Sequence, residues 1–220
     1  MNYDEETLDF VRHGINIYDC AMLADTEQEH CARLFEFLDL DTWLRDRVVL
    51  DVGCGVGGLL DALRRRYPRN TYLGLTNSQV QLHIAWDKGL TAYYGDMNEV
   101  HALPPADLFI FAQSIGHAAS MPKLLAGCAD KLKLGGRLFI KDFDCIEVSA
   151  RNAWDYRMEP AAHFVQAGAQ AGLRLLKQEI PKVSHERYMR YWRESAYMVG
   201  RYGPAPSFMI ANSVMLLFEK

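Results

Sequence analysis

The sequence predicts an α/β fold in three layers, a mostly parallel sheet carrying helices on both faces, and three observations predict it. Short β-rich runs alternate with longer amphipathic ones from residue 47 to the C-terminal end. Most of the amphipathic runs stop at a glycine or a proline, as helices do. The first β-rich run, Val48-Val49-Leu50-Asp51-Val52, opens directly onto glycines at alternate positions, the corner from a buried strand into a helix.

Taken in order, Thr26 and Glu29 form a capping-box pair that opens an apolar-striped helix through Leu40, a segment expected to cover the sheet as a lid. Strands are read at 47–52, 71–75, 91–94, 107–112 and 136–143, with two more near 173–180 and 208–218, seven in all. A helix at 57–67 stops at Pro68, and one at 78–88 stops at Gly89. Ser120 caps a third that ends at Gly135-Gly136, and a fourth, 159–171, ends at Gly172. Residues 144–160 and 181–207 resist this rhythm. Insertions at the carboxyl edge of an open sheet are where ligands are met, so both stretches are assigned to the substrate side.

Composition narrows the function. Of 220 residues 50% are hydrophobic and 24% charged, enough for a sizeable core in one domain. A net charge of −4 argues against a protein that grips a nucleic-acid backbone. Cys20, Cys31, Cys54, Cys128 and Cys145 are scattered and never spaced as CxxC, which points to reduced thiols in a cytoplasm rather than a disulfide framework or a metal site. The acidic start lacks the order of a signal peptide, and no apolar run approaches the roughly 20 residues of a membrane span, so a soluble cytoplasmic protein is expected. The oligomeric state is not legible.

The run from Val48 to Gly58 is a small-ligand cradle: glycines let a ligand approach the main chain, and the following helix start offers N–H groups. Gly53, Gly55 and Gly58 also satisfy the GxGxxG spacing of a dinucleotide site. Such a site places an acid about 20 residues on, at the end of the second strand. Here that strand ends Gly74-Leu75-Thr76-Asn77, which disfavours a nicotinamide-dependent oxidoreductase.

With its acid two residues before the first glycine, VLDVGCGVGG resembles the first motif of the class I S-adenosylmethionine-dependent methyltransferases. Tyr94-Gly95-Asp96-Met97 is similar to that family's GD motif beside the adenine, and Leu132-Lys133-Leu134-Gly135-Gly136-Arg137-Leu138 to its LKPGG-strand signature. The likeness covers roughly 47–143, and the last two predicted strands fit the family's final hairpin. It implies a Rossmann-like methyltransferase fold with an antiparallel last strand. It also implies one domain made of a helical lid (1–45), a cofactor-binding core (46–143) and an acceptor side with closing strands (144–220). In finer detail Leu75-Thr76-Asn77-Ser78-Gln79 resembles a variant found in cyclopropane-fatty-acid synthases and in sterol and prenyl-diphosphate C-methyltransferases.

The resemblance implies S-adenosylmethionine as cofactor and assigns roles by position. Gly53, Gly55 and Gly57, with Cys54 in the same turn, admit the methionine moiety, while Asp51 holds its ammonium group. Asp96 accepts from the adenine amino group, Met97 packs the ring, and Thr76, Asn77 and Gln79 face the ribose where an acid is usual. Gln113 and Ser114 follow the fourth strand, and Tyr18 of the lid closes over the cofactor.

For the chemistry, methyl transfer from a sulfonium is an in-line displacement that needs no metal, only positioning, exclusion of water and a base suited to the acceptor. Gln113 stands where the alkene-methylating group often has an acid. His117, whose ordinary pKa suits proton transfer near neutrality, is the substitute base, although a loop carbonyl would occupy it equally well. Asp144, with Asp142 and Glu147, adds carboxylates on the same side. Tyr191-Trp192 resembles an element in the late lid of prenyl C-methyltransferases. There Arg190 and Arg193 would hold an anionic head, unless the segment is an amphipathic helix with arginine stems over aromatics.

The expected function is methylation of a small molecule, specifically at carbon of an isoprenoid or other alkene-bearing metabolite. The alternatives are N- or O-methylation of a small amine, hydroxyl or carboxyl compound, and an idle cofactor-binding subunit.

Overall fold

The computed structural model describes residues 3–18, 20–145, 148, 155–182 and 212–220. One seven-stranded sheet runs in the order β3-β2-β1-β4-β5-β7-β6. Its strands are β1 (Val48–Val52), β2 (Thr71–Thr76), β3 (Thr91–Tyr94), β4 (Ala106–Ala112), β5 (Leu132–Asp144), β6 (Arg174–Glu179) and β7 (Asn212–Glu219). β1 to β5 pair in parallel, and β7 enters antiparallel between β5 and β6. The fold is the predicted Rossmann-like one, including the reversed last strand.

The central strands are mostly apolar because helices cover both faces. On one face Phe109, Phe111, Leu138 and Ile140 pack with Leu124 and Leu125 of α7 (Met121–Lys131) and Phe164 of α8 (Ala161–Gln170). On the other, Leu108, Ile110 and Phe139 meet Leu34 and Leu38 of α3 (Glu27–Leu38), Leu60 and Leu63 of α5 (Gly58–Arg66) and Leu82 of α6 (Gln79–Asp87). Ahead of these, within residues 1–45, lie α1 (Tyr3–Arg12) and α2 (Cys20–Leu23), with α4 (Leu40–Trp43) directly after α3. α1 docks on the start of α6, where Ser78 Oγ donates to Asp4 at 2.5 Å and Gln81 Nε2 to Thr7 Oγ1 at 3.1 Å.

Several boundaries move. Thr26 caps α3 by accepting from Glu29 N–H at 3.2 Å, but Glu29 itself turns to Asp25 N–H, and the helix breaks at Asp39 (φ 55) rather than running through Leu40. Ser120 makes no side-chain cap bond. The helix expected to reach Gly135 stops at Lys131, because Leu132 pairs with Ala106 and the ladder resumes at Leu108 with Arg137 after a bulge. The predicted strand residues 208–211 lie outside the described residues.

At the amino ends of β1 and β4, Asp107 accepts from Val48 N–H (2.8 Å), Lys133 Nζ (2.7 Å) and Arg47 Nη1 (3.3 Å). Burial alone would raise its pKa, but the bonds from Lys133 and Val48 and the charge of Arg47 outweigh that and hold it below the ordinary carboxylate value. A depressed folded-state pKa stabilises the fold above the unfolded value of about 4, and the contribution drains away as pH falls through the folded value. Asp107→Asn is therefore expected to cost about 1–2 kcal/mol at neutral pH, and thermal melts should show the gap from wild type closing on acidification.

Candidate functional site

The strand order reverses between β1 and β4, whose neighbours on either side are β2 and β5. Crevices at such switch points, outside the carboxyl ends of the strands, are where open α/β sheets bind ligands. The glycine corner lies there. Gly53, Gly55 and Gly57 all have positive φ (85°, 55° and 78°). A Cβ on Gly53 would stand 2.4 Å from Ser114 Cβ, and one on Gly57 2.3 Å from Leu90 Cδ1. The corner's shape is tied from within: Gly53 and Cys54 N–H both donate to Leu75 O at 2.8 and 2.9 Å, and Gly57 N–H to Cys54 O at 2.9 Å. Asp51, 2% exposed, sits at its foot between Gly74 and Ile110.

Around the corner the predicted residues converge unequally. Ser114 Oγ donates to Val52 O at 2.5 Å and locks the end of β4 to that of β1. Met97 lies alongside, its Cε 3.7 Å from where a Gly53 Cβ would be. Asp96 Oδ1 accepts from Asn98 N and Nδ2 at 2.8 and 2.7 Å, capping the 3-10 turn that begins at Met97. Cys54 enters through its backbone only, for its thiol is turned under the corner toward Gly74 and its pKa is pushed well up by burial and then by the nearby Asp51 charge. Of the ribose candidates, Thr76 is buried and its hydroxyl donates to Gln81 Oε1 at 2.6 Å, while Asn77 and Gln79 are exposed.

Gln113 is unusual twice over. Its φ of 56° is left-handed, rare for a side chain of this kind, yet its N–H still donates to Lys141 O at 2.7 Å. Its Oε1 is buried and meets no hydrogen-bond donor among the described residues. Backbone strain with an unmet polar atom at a strand end is a signature of a ligand site.

His117 directs Nδ1 at Asp155 O, 3.3 Å away, and sets its ring edge-on to Tyr156 with centroids 4.7 Å apart. Asp144, one of the carboxylates expected on the acceptor side, accepts from Ala161 N–H at 2.9 Å through Oδ1 and holds the start of α8. Glu147, Arg190, Tyr191, Trp192 and Arg193 lie outside the described residues.

The lid expectation meets a definite geometry. The Tyr18 ring lies 3.6 Å from where a Gly55 Cβ would be, stacks on Phe10 at 4.8 Å, and its hydroxyl donates to Thr7 Oγ1 at 3.4 Å. Burial pushes the phenol up to about 12. What the sequence did not reveal is how this segment is latched. Glu27 Oε1 accepts from Asn16 and Ile17 N–H (2.6 and 2.8 Å), and Lys88 Nζ donates to Asn16 Oδ1 (2.7 Å) and to Val56 O in the corner (3.0 Å). Only the absence of a side chain at Gly58 admits Asn16 O, which a Cβ would meet at 2.5 Å.

A cleft of about 1050 Å³ opens between α3 and α5 and reaches Asn16, Gly58 and Lys88 at the latch. Its arginines are engaged, Arg64 and Arg65 with Asp61 and Arg66 with Asp41. Among the described residues no cluster of His, Cys, Asp or Glu is arranged to hold a metal, and no helix is long and apolar enough to cross a membrane.

Residues 23–178 match the model of a family described as a methyltransferase domain. The trans-aconitate 2-methyltransferase of Mycolicibacterium gilvum (strain PYR-GCK) is 28% identical over 89 residues, 40% of this chain and 35% of that protein. The chain thus spans about a third of the length of the first such relatives. A solved structure from Galdieria sulphuraria, proposed to be a sarcosine dimethylglycine methyltransferase, superposes with a TM-score of 0.75 at 17% identity, covering 99% of this chain and 98% of that one. Phosphoethanolamine N-methyltransferase 2 of Haemonchus contortus, solved with S-adenosyl-L-methionine, gives 0.69 at 14% identity over 99% of this chain and 57% of that one. At these identities the two structures speak for the fold.

Proposed function

The chain belongs to the methyltransferase-domain family, and on that premise we propose that it takes a methyl group from S-adenosylmethionine and delivers it to a small molecule. The observation that carries the reading is the corner itself: a thin backbone at the switch point, a buried carboxylate at its foot and an aromatic lid against Gly55. The buried Gln113 Oε1, which meets no donor among the described residues, fits a site built for a ligand rich in N–H and O–H groups.

When bound, the cofactor supplies an electrophilic methyl carbon on a sulfonium. Asp51 holds the ammonium group, and Gly53, Gly55 and Gly57 let the amino-acid tail lie against main chain. Gln113 and Ser114 line the same side from β4. The Asp96 oxygen turned away from Asn98 accepts from the adenine amino group and Met97 packs the ring. Asn77 and Gln79 bond the ribose, on a turn that Thr76 braces through Gln81. Tyr18 excludes water. The division into lid (1–45), cofactor core (46–143) and acceptor side (144–220), and action in the cytoplasm, belong to the same proposal.

His117 takes the acceptor's proton. The specific acceptor is an alkene-bearing metabolite such as an isoprenoid, a reading supported by the likeness of Leu75 to Gln79 and of the Gln113 to His117 loop to the alkene-methylating group. A second reading, methylation of oxygen or nitrogen in a small acid or amine, is favoured by Gln113 itself, which offers no carboxylate where a carbocation would form. Labelled cofactor incubated with prenyl diphosphates, carboxylic acids, amines and phenols separates the two, and label confined to heteroatom acceptors ends the first.

Asp51→Ala is expected to weaken cofactor binding by about 100-fold, the loss of a charge-assisted bond inside a buried site. Titration calorimetry checks it, and a heat equal to that of wild type would remove the assignment.

A further inference from the structure

We propose that Lys88 is a positioning residue for the cofactor, its one ammonium tying the lid at Asn16 to the glycine corner at Val56 so that Tyr18 stays seated against Gly55. The inference rests on reading the corner as the cofactor site and goes beyond it, because it names what couples lid to corner.

The root of this side chain is fixed. Lys88 is the C-cap of α6, and Arg64, paired with Asp61 at 2.8 Å, donates to the carbonyls of Lys88 (3.0 Å) and Gly89 (3.2 Å). Two residues on, Leu90 fills the space that a Gly57 side chain would need. The head of Lys88 then leaves its own helix and spans from Asn16 Oδ1 at 2.7 Å to Val56 O at 3.0 Å. Asn16 is gripped as a whole residue: Glu27 Oε1 takes its N–H (2.6 Å), its Nδ2 donates to Gly14 O (3.3 Å), and its carbonyl lies against Gly58. Tyr18 follows two residues later, so the tie sets where its ring lies on the corner.

The charge itself does little for the fold. Both partners are neutral oxygens, and among the described residues Lys88 makes no ion pair. Half-buried, it gives up hydration without a carboxylate in contact. That desolvation, helped by the charge of Arg65, draws its pKa below the ordinary lysine value against the pull of Asp61 and Glu27. A base whose pKa falls on folding costs stability wherever it stays charged, which includes neutral pH. Two hydrogen bonds offset that cost, and the cleft between α3 and α5 reaches both Lys88 and Asn16, so water can replace a missing ammonium. Loss of the ammonium therefore reads on the lid rather than on the melting temperature.

Calorimetry with S-adenosylmethionine, thermal melts and trypsin digestion of Lys88→Met, Asn16→Ala and the double variant test the tie. Lys88→Met keeps the stem and drops the ammonium. It should bind the cofactor about 10-fold more weakly and be cut faster after Arg12, with a melting temperature within about two degrees of wild type. Steady-state rates should place the loss on the cofactor KM, with kcat at saturating cofactor within about twofold. Asn16→Ala removes the lid end, and the double variant should bind within about twofold of Lys88→Met, since both changes act on one bond. Lys88→Met that binds as wild type does would overturn the tie. So would a melting temperature more than about five degrees lower, which would show that the lysine merely holds the fold. Losses that add in full in the double variant, or Asn16→Ala titrated and digested like wild type, would overturn it however Lys88→Met folds. Wild type that gives no heat with S-adenosylmethionine would overturn the cofactor reading first, and the tie's role with it.

Discussion

Gly53→Ala is expected to abolish measurable cofactor binding and to lower the melting temperature by several degrees. Two costs add. An L side chain at φ 85° costs about 1–2 kcal/mol. The new methyl would also stand 2.4 Å from Ser114 Cβ and 3.0 Å from its Oγ. Ser114 has no room to yield, because its hydroxyl is held on Val52 O, so relief must come from moving a strand end, at about 1–3 kcal/mol. Gly55→Ala is the comparison: its φ is 55° but among the described residues its Cβ would meet only the Tyr18 ring, at 3.6 Å, so binding should weaken without vanishing. Calorimetry and thermal melts of the two variants side by side test this, and cofactor affinity at the wild-type level in Gly53→Ala would defeat it.

Gly58→Ala should separate lid from fold. By helix propensity alanine at the first turn of α5 is favourable, by about 1 kcal/mol. Against that, its Cβ would fall 2.5 Å from Asn16 O and 2.8 Å from Ile17 Cγ1. Glu27 and Lys88 hold that segment in place, so the clash is resolved by the segment leaving its seat. The melting temperature should change little, while the cofactor KM rises roughly 10-fold, equivalent to about 1.4 kcal/mol. Trypsin should cut after Arg12 faster than in wild type. A variant with unaltered KM and digestion would show that Asn16 has other room.

These two glycines differ in how far they were legible. Gly53 stands in a motif whose acid, spacing and following helix all fall within a dozen residues, so strand, corner and helix read off together. Gly58 looked like part of the same pattern, yet its duty is to Asn16, more than forty residues earlier, and no local period records such a contact. The parallel core was legible because strands buried on both faces leave continuous apolar runs, as in β4. The junction at Leu132 was not, since a bulge has no period and Gly135-Gly136 reads equally as a helix stop. Asp144 was visible as an acid near the site, but its assignment to Ala161 N–H depends on where α8 begins. Gln113 stood out for its chemistry, whereas its left-handed backbone has no signal in a residue type that rarely adopts it.

The corner's inward ties have a thermodynamic consequence. Because Gly53, Cys54 and Gly57 spend their N–H groups on Leu75 and Cys54 carbonyls, the turn's shape is fixed when the chain folds and not when a guest arrives. Three residues, two of them among the most mobile kind, surrender their freedom once. A molecule seating there meets a preorganised wall, and the entropy that a floppy glycine loop would forfeit on each encounter is absent from its association constant.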